Sequence, residues 1–176
     1  MREKEVQLKR LILAALFAAL TCAATLSVRI PTPGTNGYIH PGDALVILSG
    51  IFLGTQYGFL AAGLGSALAD FLGGYFIYLP FTFLIKGLIA LLSALLAVHF
   101  QKTGRKLYLA VLFGGVIDII GVFGGYFLLE SVLYGAPTAA LSAPANLLQG
   151  FGGLVISSLL YPLLAPGMAA IGKQPA

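Results

Sequence analysis

Long apolar runs, broken by proline, glycine or charge, make up most of this chain. They cover about residues 9–29, 44–54, 57–73, 80–99, 107–130 and 144–165. A helix needs about 20 apolar residues to cross a bilayer, so the short second and third runs are either tilted spans or a hairpin that does not cross fully. The pattern predicts an all-α membrane protein, a six-transmembrane-helix bundle that forms one domain over residues 1–176.

Composition supports this class. The 176 residues are 59% hydrophobic and only 9% charged, whereas soluble domains carry about 25% charged residues. The single Cys22 excludes an intramolecular disulfide, and no Cys/His spacing suggests a metal site or a cofactor. The first run is long for a signal peptide and more runs follow it, so we expect a retained helix.

Lysine and arginine are distributed unevenly between the two sides of the predicted bundle. If the runs alternate in direction, Arg29 lies on one side and Lys86 inside a run. The others share the opposite side: Arg2, Lys4, Lys9, Arg10, Lys102, Arg105, Lys106 and Lys173. Because basic residues concentrate on the cytoplasmic side, both termini are predicted to be cytoplasmic. The net charge of +4 then reflects topology rather than nucleic-acid binding.

Four ionisable residues interrupt the apolar runs: Asp70, Lys86, Asp118 and Glu130. A charge at the bilayer centre costs roughly 2.5–3.5 kcal/mol on insertion scales, so such residues mark pockets or pairs. A helix rises about 1.5 Å per residue, which places Asp70, Lys86 and Glu130 in one outer band. Asp118 lies deeper, about midway along its run.

Further polar groups fall at the same outer depth. Asn146 and Gln149 open the sixth run, and the outward loops 30–43, 74–79 and 131–143 are rich in Tyr, Pro and Gly. The tetrapeptide GGYF occurs near the outer ends of two runs, at 73–76 and 124–127. With Asp43 at the outer start of the second run, polar groups from five segments lie at one depth, which predicts an outward-facing binding pocket.

Structural roles compete with binding for several of these residues. Asp43 is predicted to cap the second run, and Asp118 to support the pocket with Lys86 as its expected partner. Asp70 and Lys86 are equally consistent with a buried ion pair that fixes helix register. Glu130 is also consistent with a position in the headgroup region that has no specific role.

Small residues recur every four positions in the first run. Ala14 and Ala18, Ala15 and Ala19, and Ala19 and Ala23 form overlapping small-xxx-small pairs. This spacing produces a flat face on which another helix packs closely in lipid. The face serves either packing within the bundle or docking of a separate protein.

Four segments resemble the S components of energy-coupling factor (ECF) transporters, small membrane proteins that capture vitamins for an ABC-type ATPase module. They are LKRLILAALFAALT, GYIHPGDALVILSGIFLG, AAGLGSALADFLGGYFIYLPFTFLIKG and NLLQG, and the resemblance extends over nearly the whole chain. The branch is similar to proteins labelled as riboflavin, pyridoxine or hydroxymethylpyrimidine S components.

The resemblance implies a plasma-membrane protein of a prokaryote that binds a vitamin near the extracellular side, under a lid formed by the loop after the first helix. Its implied partners are a transmembrane coupling subunit and two ATPase subunits. The implied docking residues are Ala14, Ala15, Ala18, Ala19 and Ala23. Depth and resemblance together give the expected substrate contacts: Asn36, Tyr38, His40, Asp70, Tyr75, Tyr78, Lys86, Glu130, Asn146 and Gln149.

Other functions are disfavoured by motifs that the sequence lacks. There is no GxxxxGK[ST] phosphate loop, so energy for transport comes from another polypeptide or from an ion gradient. A stand-alone secondary transporter with Asp70, Asp118 or Glu130 relaying protons is the second hypothesis, but the chain is short and has no clear inverted repeat. The sequence contains neither an HExxH nor a GxSxG pattern, so it predicts no catalytic residues. The expected substrate is a pyridoxine- or hydroxymethylpyrimidine-like heterocycle, with riboflavin or pantothenate as alternatives.

Overall fold

Five α-helices dominate the computed structural model, which describes residues 2–104 and 106–172. They are α1 (Arg2–Ser27), α2 (Asp43–Gly73), α3 (Leu79–Lys102), α4 (Tyr108–Tyr134) and α5 (Ala136–Gly172). All five are long and apolar enough to cross a membrane. The all-helical prediction is therefore confirmed, whereas the described residues give five helices of this kind and not the expected six.

The difference in number arises in α2, which contains both the second and the third predicted runs. Its backbone leaves helical geometry at Gly54, with φ +81° and ψ −170°. A Cβ added to Gly58 would lie 2.8 Å from the Cα of Gly50, although residues eight apart in a straight helix are separated by about 12 Å. The chain therefore folds back at Gly54, and α2 consists of two arms, residues 43–53 and 55–73.

A short hairpin joins α1 to α2. Strands β1 (Ile30–Pro31) and β2 (Tyr38–Ile39) pair antiparallel, with Ile30 opposite Ile39. The turn between them is held by the Thr32 N–H, which donates to the Gly37 carbonyl at 3.0 Å. This loop, residues 28–42, covers one end of the bundle and is called the lid below.

The helices pack around the two arms of α2. Val46, Ile47, Ile89, Val111 and Val122 are buried at the centre of the main core. Two crossings are so close that only glycine fits, because a Cβ on Gly50 would clash with the Ala90 carbonyl and one on Gly65 with the Ala18 carbonyl. Large apolar side chains such as Leu128 and Leu159 are exposed instead, which is expected of surfaces that face lipid.

The alanines of α1 do not share one face. Ala14 is buried and Ala18 half-buried against the second arm of α2, whereas Ala15, Ala19 and Ala23 are exposed. Packing within the bundle therefore accounts for part of the small-residue pattern only.

Most of the basic residues used for orientation are exposed at helix ends, among them Lys4, Lys102 and Lys106. Arg105, Lys173 and the side chain of Arg2 lie outside the described residues.

Candidate ligand-binding cavity

A small cavity lies under the lid, where the outer ends of α2, α3, α4 and α5 meet. Its volume is about 20 Å³, room for roughly one water molecule. The lining residues include seven expected substrate contacts: Tyr38, His40, Asp70, Tyr75, Tyr78, Glu130 and Asn146. The residues predicted to lie at one outer depth therefore line one cavity in the structure. Because the cavity is so small, an aromatic ligand enters it only if the lid moves. We call it the outer cavity.

The lid is fastened to α2 by Tyr38. Its hydroxyl donates to Asp70 Oδ1 at 2.9 Å, and its ring lies 4.4 Å from that of Tyr75, centroid to centroid. Burial, followed by the negative charge of Asp70, raises the pKa of Tyr38, so the hydroxyl stays protonated and remains a donor. One hydrogen bond and one ring contact thus close the cavity on this side.

Polar groups on the opposite wall are also joined across elements. Glu130 accepts from the Tyr78 hydroxyl at 3.2 Å and from the Ser142 hydroxyl. The hydroxyls of Thr82 and Tyr126 lie 3.1 Å apart. Glu130 is 1% exposed, which excludes the proposed free position in the headgroup region.

Two polar atoms of the wall have no hydrogen-bond partner within the described parts of the chain. They are Asp70 Oδ2, an acceptor, and Asn146 Nδ2, a donor. Buried polar groups are rarely left unpaired. The cavity therefore offers one carboxylate oxygen and one amide N–H₂ beside several tyrosine rings.

A buried ion pair lies beneath the cavity. Lys86 Nζ is 2.5 Å from Asp43 Oδ1, and both side chains are fully buried. Gln149 Nε2 donates to Asp43 Oδ2 at 2.7 Å, while Gln149 Oε1 accepts from the backbone N–H of His40 at 3.2 Å. The lid is thereby linked to the ion pair through Gln149.

This network corrects several expectations. Lys86 and Gln149 bind Asp43 and do not line the cavity. Asp43 does not cap its helix through a hydrogen bond, because its carboxylate faces Lys86 and Gln149 instead. Lys86 pairs with neither Asp118 nor Asp70; both oxygens of Asp118 are buried without a hydrogen-bond partner among the described residues.

Asn36 also lies outside the outer cavity. It lines a shallow groove above it, between the lid and the 74–78 turn. This groove shares Gly37, Tyr75 and Tyr78 with the cavity below, so it lies on a direct path from outside.

His40 is held neutral by its surroundings. Its Nδ1 accepts the Gly42 N–H at 3.1 Å, which requires that this nitrogen carry no proton. The pKa of His40 is lowered to about 4, chiefly by burial; the negative charge of Asp43 opposes this shift and the positive charge of Lys86 adds to it. The ring is therefore uncharged near neutral pH.

Two lining residues, Thr82 and Tyr126, were not among the expected contacts, and a third, Gly37, lies in the lid segment 36–40 from which contacts were expected. Tyr126 belongs to the second GGYF segment, so the repeat was a signal for it, as the first copy was for Tyr75. Thr82 is a lone hydroxyl in an apolar run, and only helix packing shows that it faces the cavity. Gly37 has no side chain that could mark it as a ligand contact in the sequence. Its small size lets the lid approach Glu130 closely.

Comparison with known proteins shows the family to which this chain belongs. The family model for the ECF-type riboflavin transporter S component matches residues 5–166. The chain belongs to this family. The resemblance seen in the sequence is thus confirmed, and the family together with the long apolar helices indicates a multi-pass membrane protein of a transporter family.

Two relatives align along most of its length. An uncharacterized protein from Pyrococcus woesei is 33% identical over 140 residues, which cover 80% of this S component and 90% of the relative. A protein from Lactococcus lactis subsp. cremoris, named thiamine precursor transporter HmpT, is 27% identical over 158 residues, covering 89% and 88% of the two chains.

Proposed function

We propose that this S component captures a small B-type vitamin or vitamin precursor from outside the cell for an ATP-driven uptake transporter. The observation that carries the proposal is the outer cavity, which tyrosine rings line together with a carboxylate oxygen and an amide nitrogen that have no hydrogen-bond partner among the described residues. A few convergent polar groups in an aromatic enclosure are typical of small-molecule sites.

The favoured ligand is a hydroxymethylpyrimidine-like or pyridoxine-like heterocycle. Once the lid moves, we expect a flat ring to lie among Tyr38, Tyr75 and Tyr126. An exocyclic amine or hydroxyl would then donate to Asp70 Oδ2, and a ring nitrogen would accept from Asn146 Nδ2. Lys86 is already paired with Asp43, and no lysine or arginine is among the described residues that line the cavity. This disfavours anionic pantothenate. Riboflavin requires the largest movement of the lid, and the name of the Lactococcus relative also favours the pyrimidine.

Membrane topology follows from the same proposal. The two arms of α2 act as the second and third of six membrane segments, and both termini lie in the cytoplasm of a prokaryote, beneath its plasma membrane. The exposed Ala15, Ala19 and Ala23 form the face that docks on a transmembrane coupling subunit, which two ATPase subunits drive. Ala14 and Ala18 face the bundle, so we assign them to internal packing.

Uptake by purified protein in liposomes tests the function. We expect the isolated S component to bind hydroxymethylpyrimidine with a dissociation constant far below micromolar but to transport it only when the coupling subunit, the ATPases and ATP are present. Uptake by the isolated chain in response to a proton gradient would contradict the proposal and favour a stand-alone secondary transporter.

Docking is tested by Ala19→Phe. A bulky side chain on the exposed alanine row prevents close helix approach, so we expect loss of the complex with the coupling subunit and unchanged vitamin binding. Ala140→Phe, at an exposed alanine of α5, is the matched control and leaves assembly intact. Normal assembly of Ala19→Phe would place the docking face elsewhere.

A further inference from the structure

A second and much larger cavity opens at the opposite end of the bundle. Its volume is about 520 Å³. It lies where the start of α1, the fold-back at Gly54, the end of α3 and the end of α5 come together. We call it the inner cavity; neither the capture of a vitamin at the outer side nor docking through the alanine row uses it.

The inner cavity combines a basic rim with an apolar interior. Lys9 and Arg10 of α1 line it with exposed side chains, as do the amides Gln56 and Gln101. The interior is lined by apolar residues, including Phe52, Leu53, Ala94, Ala97, Val98 and Met168. No aspartate or glutamate is among the described lining residues, so the rim attracts anions.

Its position adds a second argument. Val98 is 41% exposed and Leu11 is 59% exposed, so the wall of the inner cavity continues into apolar helix surfaces that face the bilayer. Basic residues mark the cytoplasmic side, where the leaflet carries anionic lipids, and basic pockets between membrane helices on that side bind their headgroups. A basic rim beside an apolar wall matches a phospholipid of this leaflet, whose anionic headgroup is joined to long acyl chains.

We infer that the inner cavity binds one anionic phospholipid molecule of the cytoplasmic leaflet. Its phosphate contacts Lys9 and Arg10, with Gln101 as a further donor, and one acyl chain lies along Phe52, Ala97 and Val98. The charge of the rim selects an anionic headgroup over a zwitterionic one, and the apolar interior selects a lipid over a free phosphate.

Native mass spectrometry of the full chain tests this inference. The protein is released from mixed vesicles of phosphatidylglycerol and phosphatidylcholine in equal amounts, and bound lipid is identified by mass. We expect one retained phosphatidylglycerol per chain, and at least a tenfold loss of it in the double variant Lys9→Gln/Arg10→Gln. Lys102→Gln/Lys106→Gln removes two exposed charges at the same end that do not line the cavity, and should retain the lipid.

A second pair of variants tests the acyl-chain path. Val98→Trp fills the cavity and should lower lipid retention, whereas Leu95→Trp, at a residue 50% exposed but outside the lining, should not. Vitamin binding is measured on every variant to confirm the fold, and because it depends on the outer cavity it stays unchanged.

Three outcomes would overturn the inference. Equal retention of both lipids, or undiminished retention by Lys9→Gln/Arg10→Gln, would show that the rim selects no headgroup. Displacement of the lipid by millimolar inorganic phosphate would indicate a site for the free anion. Normal lipid retention by Val98→Trp together with failure to assemble with the coupling subunit would identify the cavity as a protein interface.

Discussion

The outer and inner cavities share three apolar helices, α2, α3 and α5, but differ in almost every other respect. The outer one, of about 20 Å³, is closed by a lid and lined by tyrosines and carboxylates; the inner one, of about 520 Å³, has a basic rim. The difference follows from where side chains form hydrogen bonds with one another. Every side-chain-to-side-chain hydrogen bond in the described parts of the chain lies at the outer end, within the lid or between elements.

That contrast shows how a membrane protein closes one end and leaves the other open. Most of the helix surface is apolar, and in lipid the burial of apolar surface does not favour one helix arrangement over another. Polar bonds between elements then decide which ends meet. Changing these polar groups one at a time therefore tests the contrast between the two ends.

The largest effect is expected from Lys86→Met. It leaves the carboxylate of Asp43 buried without its ion partner, which costs about 3–5 kcal/mol of folding free energy. Reversible unfolding in detergent measures the loss, and Lys102→Met, at an exposed lysine, stays within about 0.5 kcal/mol of the parent. Equal stability of the two variants would mean that the ion pair contributes nothing to closing the outer end.

Asp70→Asn is expected to weaken vitamin binding. The amide retains an oxygen for the Tyr38 hydroxyl but loses the charge that faces the cavity. Hydrogen bonds to charged groups contribute about 1.5–3 kcal/mol, so the dissociation constant should rise roughly tenfold to a hundredfold. Titration calorimetry measures it, with Glu5→Gln on the exposed start of α1 as the control. A ligand that binds Asp70→Asn as tightly as the parent does not contact this carboxylate.

Gln149→Leu should loosen the lid while leaving the cavity lining in place. It removes the acceptor of the His40 N–H and one donor to Asp43. A net hydrogen bond contributes about 1 kcal/mol, so we expect the ligand to dissociate about fivefold faster. Stopped-flow release measures the rate, and Leu148→Ala, whose side chain is 64% exposed, serves as the control. Unchanged release would show that the lid does not depend on this link.

The last effect is seen only as the pH is lowered. The pKa of His40 is lowered from its ordinary 6.5 to about 4 in the folded protein, so folding favours the neutral ring. The resulting stabilisation is complete above about pH 6.5 and is lost as the pH falls towards 4. Thermal unfolding between pH 7 and 4 should therefore depend less on pH in His40→Gln than in the parent. His99→Gln, at an exposed histidine, should follow the parent, and parallel curves for all three proteins would contradict the role of His40.

Sequence alone could predict the depth of the site but not its connections. Depth follows from counting residues along helices, which placed Asp70, Glu130 and Asn146 correctly at one level. Partner choice depends on how helices rotate and cross, so the pairing of Lys86 with Asp43, 43 residues away, could not be deduced.

The same limit applies to the alanines of α1 and to α2. From the four-residue spacings alone, Ala14 and Ala15 were equally good candidates for docking. Helix packing buries Ala14 and leaves Ala15 exposed. The interruption near residue 54 was visible as a boundary between two runs, but the fold-back there is a property of the Gly54 backbone.

The central claim is that the vitamin is captured in the outer cavity and nowhere else. The chain has no tryptophan, so Tyr75→Trp and Val98→Trp each place a single fluorescent reporter, one in each cavity. The account predicts that hydroxymethylpyrimidine changes the emission of Tyr75→Trp saturably at submicromolar concentration and leaves Val98→Trp unchanged. A saturable change in Val98→Trp with none in Tyr75→Trp would contradict it.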